Sequence, residues 1–364
     1  MEVFTWSRLF WMRNQFVKRC LSIHHLSQAQ SGYDVIVVGG GHAGCEAASA
    51  AARMGAKTLM ITHKIKTIGE MSCNPSFGGI GKSHLMKEVD ALDGLCCKIC
   101  DQSGIHFRIL NTKKGPAVWG PRAQIDRLLY KKHIQNAILN MPNLTVITCS
   151  VEDLLLMEPE NPDHNLTRKT CGGIVLENGD HIRSHTVVLT TGTFLRGQIN
   201  IGLEVRPAGR LGDEPAIGLA HTLENIGFTM GRLKTGTPPR LDGKTIDYSK
   251  TKPISGDKEP MPFSFLNKTV WIKPEDQKLC HLTRTTEAVN CIVKDNLHLN
   301  RHVQEETTGP SKCQIMLSSL MHDLKICKMF GDSLSQHSAI ISFIDVGFLA
   351  MALLPLPHHD TIAY

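Results

Sequence analysis

Apolar and polar positions along the chain follow two periods in turn, and the changes of period mark out its elements. Residues 33 to 62 read "YDVIVVGGGHAGCEAASAAARMGAKTLMIT". Tyr33–Val38 is a β-branched run suited to a buried parallel strand. An alanine-rich helix follows to Met54, Gly55 ends it, and Thr58–Thr62 is the next strand. Farther on, Leu85, Met86, Val89 and Leu92 recur at helical spacing before Gly94, which predicts an amphipathic helix over 82–93. Ile125, Leu128, Leu129, Ile134 and Ile138 predict a second over 122–139, with these residues as its buried stripe. Strands are expected at Leu144–Thr148 and 151–156. A polar linker at 158–169 separates them from a strand at 173–176, the Asn178-Gly179 turn and a return strand about 181–183. "TVVLTTGTFLRG" is then a buried strand ending at Thr190-Thr191-Gly192, where a small residue lets backbone approach a ligand.

The first unit carries candidate chemistry. Within its β-α-β frame, Gly39-x-Gly41-x-x-Gly44 has a glycine for the turn, one for close approach to a pyrophosphate, and one that seats the helix on the strand. With both strands and the helix around it, the fingerprint reads as dinucleotide binding. The acid expected at the end of the second strand, where it would hold ribose hydroxyls, is missing, and Thr62, His63 and Lys64 stand there instead. Strand, helix, strand, meander and a strand ending at glycine is the order of an α/β flavoprotein with two dinucleotide-binding domains. That glutathione-reductase-like fold interrupts its FAD domain with an inserted one, here expected from about Gly197. "MSCNPSFGGIGKSH", residues 71 to 84, ends in Gly-Lys-Ser, but Ser76 stands where a phosphate loop needs its first glycine.

Composition adds limits. A chain of 364 residues, 41% hydrophobic and 20% charged, is ordinary globular material for about two domains. Its twelve cysteines are scattered and read as reduced thiols. Cys97-x-x-Cys100 has no second ligand pair for zinc and follows a helix stop rather than opening a helix, so packed free thiols are expected and no metal. Arg8, Arg13, Lys18 and Arg19 among apolar residues, against the single acid Glu2, resemble a mitochondrial presequence. From Lys98 to Lys132, eight cations face two acids, an excess equal to the chain's whole net charge of +6 and a field that attracts phosphates. The apolar run 339–356 is short and interrupted by Asp345, so no membrane span is expected.

Six blocks taken in order resemble the GidA (MnmG) family of FAD-dependent tRNA wobble-uridine modifying enzymes, most closely its mitochondrial members. They are "DVIVVGGGHAGCEAA", "MSCNPSFGGIGKSHLMKEVDALDGL", "DQSGIHFRILNTKKGPAVWGPRAQIDR", "VVLTTGTFLRG", "PAGRLGDEPAIGLA" and "GRLKTGTPPR". The resemblance implies FAD held by Gly39, Gly40, Gly41, His42, Ala43 and Gly44, with Val151 at its adenosine end and further contacts near Gly192 and Ala216; relatives carry serine where Ala216 stands. It implies Cys73 as the catalytic thiol, NAD(P)H as a second nucleotide, mitochondrial tRNA as substrate, a GTPase partner, a homodimer and a matrix location. A helix N-terminus near Lys82, and that lysine's charge, would favour the Cys73 thiolate.

The expected organisation is a presequence over 1–32, an FAD-binding part over 33–196, an inserted nucleotide or substrate part over 197–310, and a divergent tail over 311–364. After Pro310 the family's Arg-Tyr-Cys-Pro-Ser motif, which serves NAD(P)H binding and supplies a second cysteine, is disrupted and reads Ser311-Lys312-Cys313-Gln314, the reading of a truncated form. Two other readings use the same fold: an FAD-dependent oxidoreductase of small molecules or disulfides, and a catalytically inactive form. A basic surface binding tRNA in a salt-dependent way separates the first from the tRNA enzyme.

Overall fold

β1 (Tyr33–Val38), α1 (His42–Arg53) and β2 (Thr58–Thr62) form the expected parallel β-α-β unit, Val35 lying beside Thr58 and Val38 beside Ile61. This is seen in a computed structural model that describes residues 32–72, 74–79, 81–157, 170–201, 203–228, 230–231 and 241–299, and the backbone of 351–353. α1 buries Ala43, Gly44, Cys45, Ala48 and Ala52, side chains small enough for the helix to lie close on the sheet. It stops where Gly55 takes φ +89, a left-handed position that glycine adopts without strain.

Next come β3 (Ser76–Gly78), α2 (Lys82–Ala91), α3 (Cys96–Asp101), β4 (Gly104–Leu110), β5 (Gly120–Ile125) and α4 (Arg127–Leu139). β3, β5 and β4 make a small antiparallel sheet in that order. The helix expected over 122–139 is therefore two elements. Residues up to Ile125 pair with β4, and the helix begins only after Asp126, whose carboxylate accepts the N–H groups of Leu128 and Leu129 at 2.9 and 3.1 Å. Its buried stripe is Tyr130, Ile134 and Ile138, while Leu128 is 75% exposed and Ile125 is buried from the strand. The helix expected over 82–93 ends two residues early, because Asp93 turns to φ +66 and the Gly94 N–H bonds back to the Val89 carbonyl.

β6 (Leu144–Thr148), β7 (Val151–Met157), β8 (Thr170–Leu176) and β9 (His181–Leu189) complete the main sheet, in the order β6-β2-β1-β9-β8-β7. The return strand and the "TVVLTTG" strand are one element. β9 pairs antiparallel with β8 through Arg183, then parallel with β1 from Ser184 to Leu189. Its valines and leucine thus lie at the centre of the sheet. Ile36 and Val38 face one core with Leu59, Ile61, Val151, Leu154 and Leu219, and Val37 faces another with Met60, Cys45, Tyr130, Ile134 and Phe107. Both faces are covered, as a parallel sheet requires.

Beyond β9 lie the hairpin β10 (Gln198–Ile201) and β11 (Glu204–Pro207), α5 (Gly218–Ile226), the ribbon β12 (Lys252–Ile254) and β13 (Cys280–Leu282), and α6 (Glu287–Asp295). Residues 257–278 run along β4: the Asp257 N–H donates to Phe107 O and the Lys278 N–H to Ile105 O, both at 2.8 Å. The Asp101 carboxylate accepts the N–H groups of Phe263 and Ser264, and Phe263 is fully buried in the core that Val37 faces. β14 (Met351–Leu353) lies antiparallel on Val187–Leu189, along the edge of β9 opposite β1. The basic leader, the linker 158–169, Cys73, the cations Arg232, Lys234 and Arg240 of the GRLKTGTPPR block and the tail on both sides of β14 fall outside the described residues. Among the described residues no helix is long and apolar enough to cross a membrane.

Candidate functional site

Three of the four glycines at the β1–α1 turn press against neighbours, and one faces open space. A Cβ on Gly39, at φ +118, would stand 2.5 Å from the Thr190 carbonyl oxygen; on Gly44 it would stand 1.9 Å from the Gly39 carbonyl oxygen; on Gly40, 2.6 Å from Thr62 Oγ1. At Gly41 a Cβ would meet nothing within 4 Å. The tight turn, the seat of the helix and the open approach are thus divided as a pyrophosphate-binding turn requires. Gly41 is the N-cap of α1 and offers no side chain to the helix end, so the first-turn N–H groups, through His42, Ala43 and Gly44, remain donors at the positive end of the helix dipole. A cradle of backbone donors beside an open glycine fits the pyrophosphate of a dinucleotide.

Thr190 locks β9 into this arrangement, its N–H and Oγ1 donating to the Val38 carbonyl at 2.9 and 2.8 Å. Gly192, at φ +54 with open space where a Cβ would be, stands two residues on. Ala216 is buried and held by backbone to the same stretch: its N–H donates to Phe194 O and its carbonyl accepts from Arg196 N–H, both at 2.8 Å. Val151 is buried at the start of β7, two residues after Cys149, whose N–H donates to Thr62 O at the end of β2. The structure therefore gathers the predicted cofactor residues round the ends of β1, β2 and β9. Reading along the chain placed Thr62 and Thr190 at strand ends but missed their contacts with Gly40, Gly39 and Gly44, which are distant in sequence.

His42 has an unusual setting. Its ring stacks on Tyr130 at 5.5 Å between centroids and meets the edge of Phe77 at 5.2 Å. Its Nε2 is buried without a hydrogen-bond partner, and burial, followed by the charge of Lys82, lowers its pKa from 6.5 to about 4. Near neutral pH the imidazole is uncharged.

Cys73 itself lies outside the described residues, but the chain on both sides of it is anchored. Before it, the Gly69 N–H donates to the Gly40 carbonyl at 2.9 Å and Met71 enters the core; after it, Ser76 is buried and starts β3. Lys82, the first residue of α2, donates to Ser76 O at 3.5 Å.

The Cys97-x-x-Cys100 pair sits differently from its expected place after a helix stop. It lies within α3, which starts because the Glu46 carboxylate of α1 accepts the N–H groups of Leu95 and Cys96, at 2.9 and 2.6 Å. Cys97 and Cys100 are buried as expected of packed thiols, and desolvation raises both pKa values, which disfavours the thiolate. Among the described residues no cluster of three His, Cys, Asp or Glu could hold a metal.

The basic run from Lys98 to Lys132 is partly neutralised, since Lys98 pairs with Asp93, and Lys131 with Glu70 at 2.7 Å. Arg108 is exposed, directly opposite Arg122 in register, and Lys113 and Lys114 are exposed on the turn that follows β4. Trp119, 41% exposed, is held there by its indole N–H on Thr112 O. Cations interleaved with an aromatic face suit a single-stranded nucleic acid.

The family described as glucose inhibited division protein A matches over residues 34–338, past the point at Pro310 where the motifs stop. The chain is 57% identical over 316 residues to the 5-taurinomethyluridine-[tRNA] synthase subunit MTO1, mitochondrial, of Macaca fascicularis, which covers 85% of this chain and 45% of that relative. It is 52% identical over 270 residues to the tRNA uridine 5-carboxymethylaminomethyl modification enzyme MnmG of Granulibacter bethesdensis, covering 74% of this chain and 41% of that enzyme. Among solved structures, GidA of Aquifex aeolicus superposes with a TM-score of 0.67 at 42% identity, over 73% of this chain and 43% of its own. The chain spans less than half the length of these curated relatives.

Proposed function

Because the chain belongs to the glucose inhibited division protein A family, we propose that it is an FAD-binding component of the mitochondrial pathway that modifies C5 of the tRNA wobble uridine. The observation that carries this is the open Gly41 at the uncapped start of α1, framed by glycines that tolerate no side chain. Gly39 to Gly44 would hold the pyrophosphate of FAD, with Val151 at its adenosine end and further contacts near Gly192 and Ala216. On the same reading tRNA is the macromolecular substrate and meets Arg108, Lys113, Lys114 and Trp119. NAD(P)H, a GTPase partner, a homodimer and a matrix location follow from family membership alone.

The role assigned to Cys73 follows from the substrate. C5 of uridine is a weak nucleophile until C6 is attacked. Addition of the Cys73 thiolate to C6 forms an S–C6 bond and moves the electron pair of the C5–C6 double bond into an enolate. C5 can then take an electrophilic carbon, lose its proton and expel the thiolate. When bound, FAD supplies the redox chemistry of the one-carbon unit that a reduced folate provides. The positive end of α2 and Lys82 would favour the thiolate. A disulfide reductase finds no support at Cys97 and Cys100, whose burial disfavours the reactive form.

The test is wobble-uridine analysis of mitochondrial tRNA from cells in which this chain is the sole form. Wild type restores the modification and Cys73→Ser loses it while keeping FAD. Full modification by the serine variant removes Cys73 from the mechanism, and none with wild type leaves the inactive reading standing.

A further inference from the structure

The end of β2 lacks the acid that this fold uses on the adenosine ribose, yet a carboxylate from far along the chain meets Lys64, two residues past that end. Lys64 Nζ donates to Asp213 Oδ1 at 2.6 Å across 149 residues. Arg210 reaches Asp213 Oδ2 through Nε and Nη2, each at 3.1 Å. The turn that carries them is tight: Gly209 N–H donates to Asp213 O and Asp213 N–H to Arg210 O, both at 3.0 Å, with Gly212 at φ +82. Phe194, just past β9, seats this turn. Its ring lies where a Cβ on Gly209 would be, 2.2 Å from that position, and the Arg210 guanidinium stands 5.2 Å over it. His63, the residue after β2, meets the same ring edge-on at 5.3 Å. Side chains from the end of β2, the end of β9 and the 209–213 turn thus converge beside the glycine turn. Asp213 and Arg210 have side chains only 16% and 19% exposed.

We propose that Asp213, braced by Lys64 and Arg210, is the acceptor for the ribose hydroxyls of the adenosine half of the dinucleotide, in place of the acid absent from β2. This rests on the dinucleotide reading above. A carboxylate offers about four lone-pair positions, of which Lys64 and Arg210 take up to three, so a place remains for a ribose O–H. The two cations keep Asp213 ionised, the Lys64 hydrogen bond contributing most to its lowered pKa. Asp213 therefore stays an acceptor throughout the physiological range.

The experiment titrates the flavin-free full chain with FAD and with FAD analogues lacking the adenosine 2′- or 3′-hydroxyl. A hydrogen bond to a charged acceptor corresponds to roughly ten- to a hundredfold in affinity, so wild type should bind at least one deoxy analogue about tenfold more weakly than FAD. Asp213→Ala, which leaves no acceptor at this position, should bind FAD and that analogue alike. Lys64→Met, which keeps the carboxylate and its Arg210 partner, should still discriminate. Equal binding of all three ligands by wild type overturns the proposal, as does unchanged discrimination in Asp213→Ala. Wild type that binds no FAD at all removes the dinucleotide reading itself, a result distinct from the other two.

Discussion

His42 shows how a single side chain at the β1–α1 turn couples to acid. The imidazole is boxed by Phe77 and Tyr130 and holds its pKa near 4, against 6.5 for the free side chain. Between those two values the unfolded chain binds a proton that the folded chain refuses. The stability linked to this residue is therefore fully present above about pH 6.5 and drains away as pH falls toward 4, by at most about 3 kcal/mol. Denaturant titrations at pH 7.5 and 5 should show His42→Gln losing less stability on acidification than wild type. An identical loss in both would mean that His42 is not the buried neutral group described. Asp213 titrates in the opposite sense: its ionised form is favoured in the fold and is given up only at more acid pH, so it adds no pH dependence near neutrality.

At the scale of elements, the strand–turn–helix junction depends on two glycines that behave oppositely when changed. Ala at Gly44 would put a methyl group 1.9 Å from the Gly39 carbonyl oxygen and 2.8 Å from Thr190 Oγ1, so α1 must lift off the sheet. Such overpacking costs about 1–3 kcal/mol, and thermal denaturation of Gly44→Ala should show it. A melting temperature equal to wild type would contradict the close seating of α1. This junction was legible in the sequence because strand, turn and helix are local and each glycine has a local reason. The antiparallel sheet was not: residues 122–125 lack a β-branched run, and pairing with β4 and β3 makes them strand. β9 was read as two strands because its pairing changes partner at Ser184, a tertiary event with no local mark. The same holds within the site. Gly39, Gly41 and Gly44 announce themselves by spacing, whereas the contact of Asp213 with Lys64 spans 149 residues and has no signal short of the fold.

Across the whole molecule, a nucleotide turn and a basic, aromatic-bearing surface belong to one chain, and the proposed function needs both. If Lys113 and Lys114 each meet a phosphate, replacing both by alanine should lower the slope of log affinity against log salt by roughly 1.5 for a single-stranded anticodon segment. Filter binding with mitochondrial tRNA at several salt concentrations reads this directly, and an unchanged slope would move the tRNA surface elsewhere. The residues between 257 and 278, which complete the core on the Val37 face through Phe263, tie the later part of the described chain to the same body as the turn. The central claim is that FAD sits at the open glycine of the β1–α1 turn, and Gly41→Val tests it most directly, since a Cβ at this position meets nothing within 4 Å and the added bulk enters the cradle. Absorbance of purified wild type and variant after incubation with FAD and desalting should show flavin bands in the first and none in the second, with the same circular dichroism and melting temperature in both. Flavin retained by the valine variant, or absent from wild type, would contradict the account.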